Sequence, residues 1–284
     1  MHPVPPQGTA ASSSPASAIV VIPARYQSSR LPGKPLADIG GRPMIEHVYR
    51  RAQAAESVDS VLVATDDTRI QEAVTRFGGE ALLTVGDHQS GTDRLAEAVR
   101  DLKFDLVVNL QADEPLVNPM AIDLALQALS NNPKLLMSTI RCPIETPDEL
   151  ENPNVVKVTV DTEGFALYFS RSPIPFSRSV GLETPHGAYR HVGLYAYRRK
   201  FLLHLASLKP TQLEQTEKHA TAQLQIALEK NFSPMKQGAS IISGWVQYRQ
   251  NIPNSLEKIE LGFQQLLDLG PNFAYWEQKY LSLI

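Results

Sequence analysis

From residue 18 to about residue 144, short runs rich in β-branched and other apolar residues alternate with longer segments whose apolar positions recur every three or four residues. This alternation constrains the fold more than any single motif. Strands separated by helix-length connections are joined most simply as a parallel sheet with helices on both faces. Segments 18–22, 60–64, 81–84, 105–110 and 135–140 read as strands, and 44–55, 68–77, 93–102 and 119–129 as helices. In the first helical segment Met44, Ile45, Val48, Ala52 and Ala55 form one stripe. The expectation is an α/β fold with a mostly parallel sheet and flanking helices, whose ligands bind beyond the carboxyl ends of the strands.

The polar motifs fall where that rule directs attention. PARYQSSRLPGK follows the first strand, TDD the second, DHQSGTDR the third and QADEP the fourth. Beyond residue 144 the pattern changes. Segments 154–160 and 165–170, split by Thr162-Glu163-Gly164, read as a hairpin, and 191–197 as another strand. A helical stretch follows from Lys200, and no repeat or sharp linker divides the chain, so one α/β core with an inserted β segment is expected.

Composition closes off other classes. The 284 residues carry 27 Lys and Arg against 30 Asp and Glu, a net charge of −3, which offers no broad positive field to nucleic acid or an anionic membrane. Any phosphate chemistry must therefore be local. One cysteine, Cys142, makes neither an internal disulfide nor a cysteine-based zinc site. Apolar runs such as 19–22 and 125–129 are far shorter than the roughly 20 residues that span a bilayer, so a soluble protein is expected. Residues 1–17, MHPVPPQGTAASSSPAS, lack the basic start and apolar core of an export signal and read as a flexible tail.

Arg25, Arg30 and Lys34 crowd the loop after the first strand, with Gly33 free to let backbone approach a ligand. Guanidinium forks and a lysine point charge suit phosphate oxygens. The competing reading is a solvated loop paired with surface carboxylates. It is not a Walker A loop, because Pro32 precedes the glycine and Pro35 follows the lysine. Asp113 and Glu114, at a strand end, suit Mg²⁺, which takes one or two carboxylates with water and phosphate oxygens. In extended chain at most one of them faces a ligand; alternatively both serve a turn or the helix after Pro119. Asp66-Asp67 is similar, with helix capping favoured. The segment 87–94 suits a helix cap or a nucleobase edge, and His88 reads as a hydrogen-bonded loop residue rather than a catalyst. On strand 191–197, His191, Gly193, Tyr195 and Tyr197 share a face, either lining a pocket for a polyhydroxylated acid, with Arg171 or Arg190 for its carboxylate, or edging the core.

Taken together these segments resemble the 3-deoxy-manno-octulosonate (Kdo) cytidylyltransferases. The matching pieces are IPARYQSSRLPGKPLADIGGRPMI, VATDD, DHQSGTDRLAE, NLQADEP, NPNVVKV, ALYFSRSPIPFSR and RHVGLYAYRR, in family order from about Ala18 to Lys218. The resemblance implies a nucleotide-diphospho-sugar transferase (Rossmann-like) fold and the reaction of CTP with Kdo to give CMP-Kdo and pyrophosphate, for lipopolysaccharide biosynthesis. It also implies Mg²⁺, a cytoplasmic location, a homodimer, and no nucleic-acid or membrane partner. Carried onto this chain, Arg25, Arg30 and Lys34 hold the triphosphate, and Ser90, Gly91, Arg94 and Gln111 receive the nucleotide. Asp113 binds Mg²⁺ and, with Arg25 and Lys34, carries catalysis; Arg171, His191 and Tyr195 surround the sugar acid. Ala112 stands where the family usually has glycine, a change expected to crowd backbone near the nucleotide.

The resemblance weakens beyond Lys218. Where the family continues with a G-[VI]-D-T motif bearing a second metal carboxylate, this chain reads SGWVQYRQNIPN, and no acidic residue lies between Glu229 and Glu257. The division expected is a tail over 1–17, a cytidylyltransferase core over 18–218 and a diverged segment over 219–284. Two readings of that segment stay open, a shifted reading frame in the gene of an ordinary enzyme and a catalytically impaired paralogue that still binds nucleotide. A cytidylyltransferase for another sugar acid is the remaining alternative.

Overall fold

Seven consecutive residues of the first strand, β1 (Ala18–Ala24), are almost wholly buried, which requires cover on both faces of the sheet. The computed structural model describes residues 16–27, 31–85, 88, 91–177, 187–208 and 242–244. The expected tail over 1–15, Arg30, Ser90 and nearly all of 219–284 therefore lie outside the described residues. Ser17, expected in the tail, is already part of the folded chain: its N–H and hydroxyl both donate to Asp105 Oδ2, at 3.1 and 3.2 Å.

After β1 come a 3-10 turn (Lys34–Leu36), a small hairpin of β2 (Asp38–Ile39) and β3 (Arg42–Pro43), and α1 (Met44–Gln53). The chain then alternates β4 (Ser60–Thr65), α2 (Thr68–Arg76), β5 (Glu80–Leu83), α3 (Gly91–Val99), β6 (Leu106–Leu110) and α4 (Pro119–Asn131). β7 (Met137–Pro143), α5 (Pro147–Glu151), β8 (Lys157–Val160), β9 (Ala166–Ser170), β10 (Tyr189–Arg198), α6 (Arg199–Ala206) and β11 (Ile242–Gly244) complete the order. Nine strands form one sheet in the order β11-β7-β10-β6-β1-β4-β5, with the β8–β9 hairpin attached to β10. β6, β1, β4 and β5 run parallel; β10 is antiparallel to both β6 and β7.

The two faces carry separate cores. Val20, Ile22, Val108, Leu110 and Ala196 meet Ile45 and Val48 of α1, Ile70 and Val74 of α2, and Ile122 and Leu126 of α4. On the opposite face Ile19, Val21, Val107 and Tyr197 meet Leu95 and Val99 of α3 and Phe201 and Leu202 of α6. The expected three-layer arrangement is therefore present, with each strand's alternate side chains feeding a different core.

Local chemistry sets the helix limits. Asp67 and Asn118 cap α2 and α4, accepting from the N–H groups of Arg69 at 2.9 Å and Met120 at 2.8 Å. Arg198 and Arg199, adjacent in sequence, serve opposite faces of the sheet. Arg198 donates to the Leu129 carbonyl in the last turn of α4 at 2.8 Å and to the Leu135 carbonyl just before β7 at 2.7 Å, and Arg199 to the Arg100 and Phe104 carbonyls after α3, each at 3.1 Å. Cations there satisfy carbonyls that a helix end leaves without partners. α5 was not expected, because its five residues PDELE bury nothing and so carry no apolar stripe; Thr146 caps it and Pro147 opens it.

β10 departs from a regular ladder. Val192 pairs with Ile140 but Tyr195 with Thr139, so two extra residues, Gly193 and Leu194, are accommodated on β10. An even insertion preserves parity, and His191, Tyr195 and Tyr197 keep a common face as their spacing predicts. Among the described residues no helix is long and apolar enough to cross a membrane.

Candidate active site

Because β6, β1, β4 and β5 are parallel and adjacent, the loops that follow them lie side by side along one edge of the sheet. That places the four polar motifs together, as the topological rule anticipates. Their side chains are already partnered. Lys34 Nζ sits 2.6 Å from Asp113 Oδ2, joining the β1 loop to the β6 loop. Arg25, exposed, donates to the His88 carbonyl, which joins the β1 loop to the segment before α3. His88 itself points its Nε2 at Glu97 Oε2, 2.7 Å away, in keeping with a structural loop residue.

Gly33 is required, but not for the reason its sequence context suggests. Its φ of +72° lies in the left-handed region, and a Cβ there would stand 3.1 to 3.2 Å from the Tyr26 ring. The space is filled by Tyr26, whose carbonyl also accepts the Gly33 N–H at 2.8 Å. At the β6 end the chain turns, with Glu114 N–H bonded to the Gln111 carbonyl at 3.2 Å, so the extended-chain argument for opposed carboxylates does not apply. Ala112 packs against the first core.

Arg94, expected at the nucleotide, is 1% exposed and donates to Asp66 and to the Thr84 hydroxyl. In this conformation it braces the ends of β4 and β5 from beneath. Asp66 thereby gains a defined role that the doublet Asp66-Asp67 did not distinguish from capping, while Asp67 alone takes the cap. Gly91 opens α3 against Pro23, and a Cβ on it would meet the proline ring at 3.7 Å.

The second part of the site lies on the face of the sheet that also buries Tyr195 and Tyr197. Tyr195 pairs with Asn109 of β6 on one side and Thr139 of β7 on the other, forming a row across three strands. Asn109, a residue that sequence reasoning passed over, accepts from Gln111 Nε2 at 3.2 Å. Gln111 in turn lies over Gly193, whose absent side chain leaves it room; a Cβ would be 3.7 Å from Gln111 Cγ. The His191 ring lies 5.1 Å from that of Tyr195 and 5.0 Å from that of Phe169. The Thr139 hydroxyl, fully buried, donates to the Leu194 carbonyl at 2.7 Å, so its oxygen accepts from His191 Nε2 at 2.9 Å. Arg171 donates to the Pro153 carbonyl at 2.8 Å. Burial pushes the Tyr197 hydroxyl well above the usual phenol range, which keeps it a neutral core residue.

Among the described residues no group of three or more His, Cys, Asp and Glu gathers into a cation cage. A single carboxylate after β6, such as Asp113, is chemically compatible with a hard cation that takes one carboxylate and completes its shell with water and phosphate oxygens.

The chain is similar to known cytidylyltransferases. A family model described as cytidylyltransferase matches residues 19–237. The 3-deoxy-manno-octulosonate cytidylyltransferase of Geobacter sulfurreducens is 49% identical over 206 residues, covering 70% of this chain and 82% of the relative. That of Syntrophobacter fumaroxidans is 53% identical over 201 residues, with coverages of 70% and 80%. Among solved structures, a CMP:2-keto-3-deoxy-manno-octonic acid synthetase complexed with CTP superposes with a TM-score of 0.75 at 42% identity, over 89% of this chain and 100% of the other.

Proposed function

The chain belongs to the cytidylyltransferase family, and on that premise we propose that it transfers the cytidylyl group of CTP to 3-deoxy-manno-octulosonate, releasing pyrophosphate. The observation that carries this reading is the contact of Lys34 with Asp113, which brings the cationic loop after β1 against the carboxylate after β6, next to the polar row Asn109, Tyr195 and Thr139. Gln111, bonded to Asn109 and two residues before Asp113, bridges the two halves. The identity to relatives named for this activity, and the likeness to a structure solved with CTP, support the choice of substrates.

Displacement at phosphorus needs positioning and charge neutralisation more than a protein nucleophile. The anomeric hydroxyl of the sugar forms a bond to the α-phosphorus and gives its proton to solvent water, while the bond from the α-phosphorus to the bridging oxygen breaks and pyrophosphate leaves with the electron pair. Arg25 and Lys34, with Arg30 of the same loop, bind the triphosphate and neutralise the charge that grows on the leaving group. Gly91, at the start of α3, receives the nucleotide with Ser90 and Gln111, and Arg94 keeps the loop ends in register. His191, Tyr195 and Arg171 orient the sugar acid. Mg²⁺, held by Asp113, would supply further charge neutralisation on the triphosphate. Lys34 must then exchange its carboxylate for phosphate oxygens when substrate arrives.

The same reading takes the protein as cytoplasmic, where CTP is made, and as a homodimer, which sedimentation of the purified chain would test. Pyrophosphate release is measured with CTP, Mg²⁺ and Kdo, then with sialic acid, then with no sugar. Release with Kdo alone is expected. Release with sialic acid instead would assign another sugar acid, and silence with measurable CTP binding would assign a nucleotide-binding paralogue.

A further inference from the structure

The cationic loop after β1 is fastened at both described ends to one residue, Tyr26, whose ring is in turn held by the first turn of α2. Tyr26 follows Arg25; its carbonyl accepts the N–H of Gly33, which precedes Lys34, at 2.8 Å. Its ring lies 3.1 to 3.2 Å from where a Gly33 Cβ would be, and packs against the first core. Over the same ring stands the Arg69 guanidinium, with Cζ 3.3 Å from the ring centroid. Arg69 is fixed in turn by a two-pronged contact with Asp67, Nε to Oδ1 at 2.9 Å and Nη2 to Oδ2 at 2.6 Å, and Asp67 is the N-cap of α2. The connection runs unbroken from the α2 cap through Arg69 and Tyr26 to the residues flanking Arg25 and Lys34.

We propose that Arg69 is a positioning residue for nucleotide binding: by stacking on Tyr26 while gripped by Asp67, it holds Arg25 and Lys34 at the separation that the triphosphate requires. The inference rests on the phosphate role given to those two cations above. Arg69 touches no substrate. It acts by lowering the ordering that the loop would otherwise undergo on binding, which is where preorganisation enters affinity. A planar guanidinium satisfies both the fork to the carboxylate and the stack on the ring, and a lysine ammonium satisfies neither as well.

The test uses the full chain and separates the two substrates. KM for CTP and KM for Kdo are measured, together with CTP binding by calorimetry and thermal unfolding, for wild type, Arg69→Ala, Arg69→Lys, Tyr26→Leu and Tyr26→Phe. Arg69→Ala and Tyr26→Leu are expected to weaken CTP roughly five- to ten-fold with KM for Kdo unchanged and the melting temperature only slightly below wild type. Arg69→Lys should recover little of this, because charge without a plane is not sufficient, whereas Tyr26→Phe should recover most of it. An unchanged KM for CTP in Arg69→Ala, full recovery by lysine, or parallel loss of both KM values with the melting temperature would each overturn the proposal. Absence of CTP binding in the wild type would instead overturn the functional reading on which it stands.

Discussion

At the β1 edge of the site, cations meet carboxylates and carbonyls near solvent: Lys34 on Asp113, Arg25 on the His88 carbonyl, Arg94 beneath a half-exposed Asp66. At the β10 edge the same sheet offers stacked rings and a fully buried hydroxyl, with His191 packed between Phe169 and Tyr195 and bonded to Thr139. The contacts of Arg25 and Lys34 are the cheaper to exchange, because contacts that solvent reaches are weak and screened, whereas Arg94 is buried. A triphosphate can take over Lys34 without unfolding anything. The second set is expensive to disturb, because a buried hydroxyl or ring left without its partner loses its full desolvation cost. On the proposed function, the site combines an end whose Arg25 and Lys34 contacts change partners on binding with an end already shaped before it.

Removing the carboxylate at the exchangeable end should give the largest effect. Asp113→Ala is expected to lower kcat about a thousand-fold or more while circular dichroism and melting temperature stay near wild type; near-normal turnover would remove Asp113 from the metal assignment. Thr139→Val attacks the other end. It keeps the shape but strands the Leu194 carbonyl and the His191 ring, at a cost of about 1 to 3 kcal/mol in stability, and it should raise KM for Kdo without changing KM for CTP. A rise in KM for CTP alone would erase the contrast between the ends. Salt sharpens it further: going from about 0.05 to about 0.5 M should raise KM for CTP several-fold and KM for Kdo less.

The smallest effect is expected from acid. Arg69 holds the Asp67 carboxyl below its ordinary value of 3.8. A depressed carboxylate stabilises the fold above its unfolded value and stops doing so as pH falls through the folded one. Asp67→Asn keeps a capping oxygen, so its melting temperature should lie slightly below wild type at neutral pH, with the gap starting to narrow as pH falls through about 3.8 and closing only below the lower folded value. A gap that persists below that folded value would show that the cap, not the pair with Arg69, is what the carboxylate supplies.

These contrasts also mark how far sequence reasoning reached. The exchangeable end was legible because its residues are crowded by sequence into loops after strands: the cations of 25–34, Asp113, and the segment before α3. What escaped were partners distant in the chain. Nothing local ties Arg94 to Asp66, or Arg69 across forty-odd positions to Tyr26, and Arg198 and Arg199, at the junction of β10 and α6, reach carbonyls 69 and 99 positions earlier. Thr139 was silent for another reason, since threonine is an ordinary strand former and only the bulge on β10 gives its hydroxyl two partners. The face shared by His191, Tyr195 and Tyr197 was predicted by period alone, and the two-residue bulge left it intact.

The most direct test of the account is ³¹P NMR of the full chain with CTP, Mg²⁺ and Kdo. The expected result is loss of the CTP resonances with equimolar gain of pyrophosphate and of a single sugar-linked CMP phosphodiester signal. CTP resonances that broaden on binding but never convert would contradict it, and would leave a protein that holds the nucleotide without transferring it.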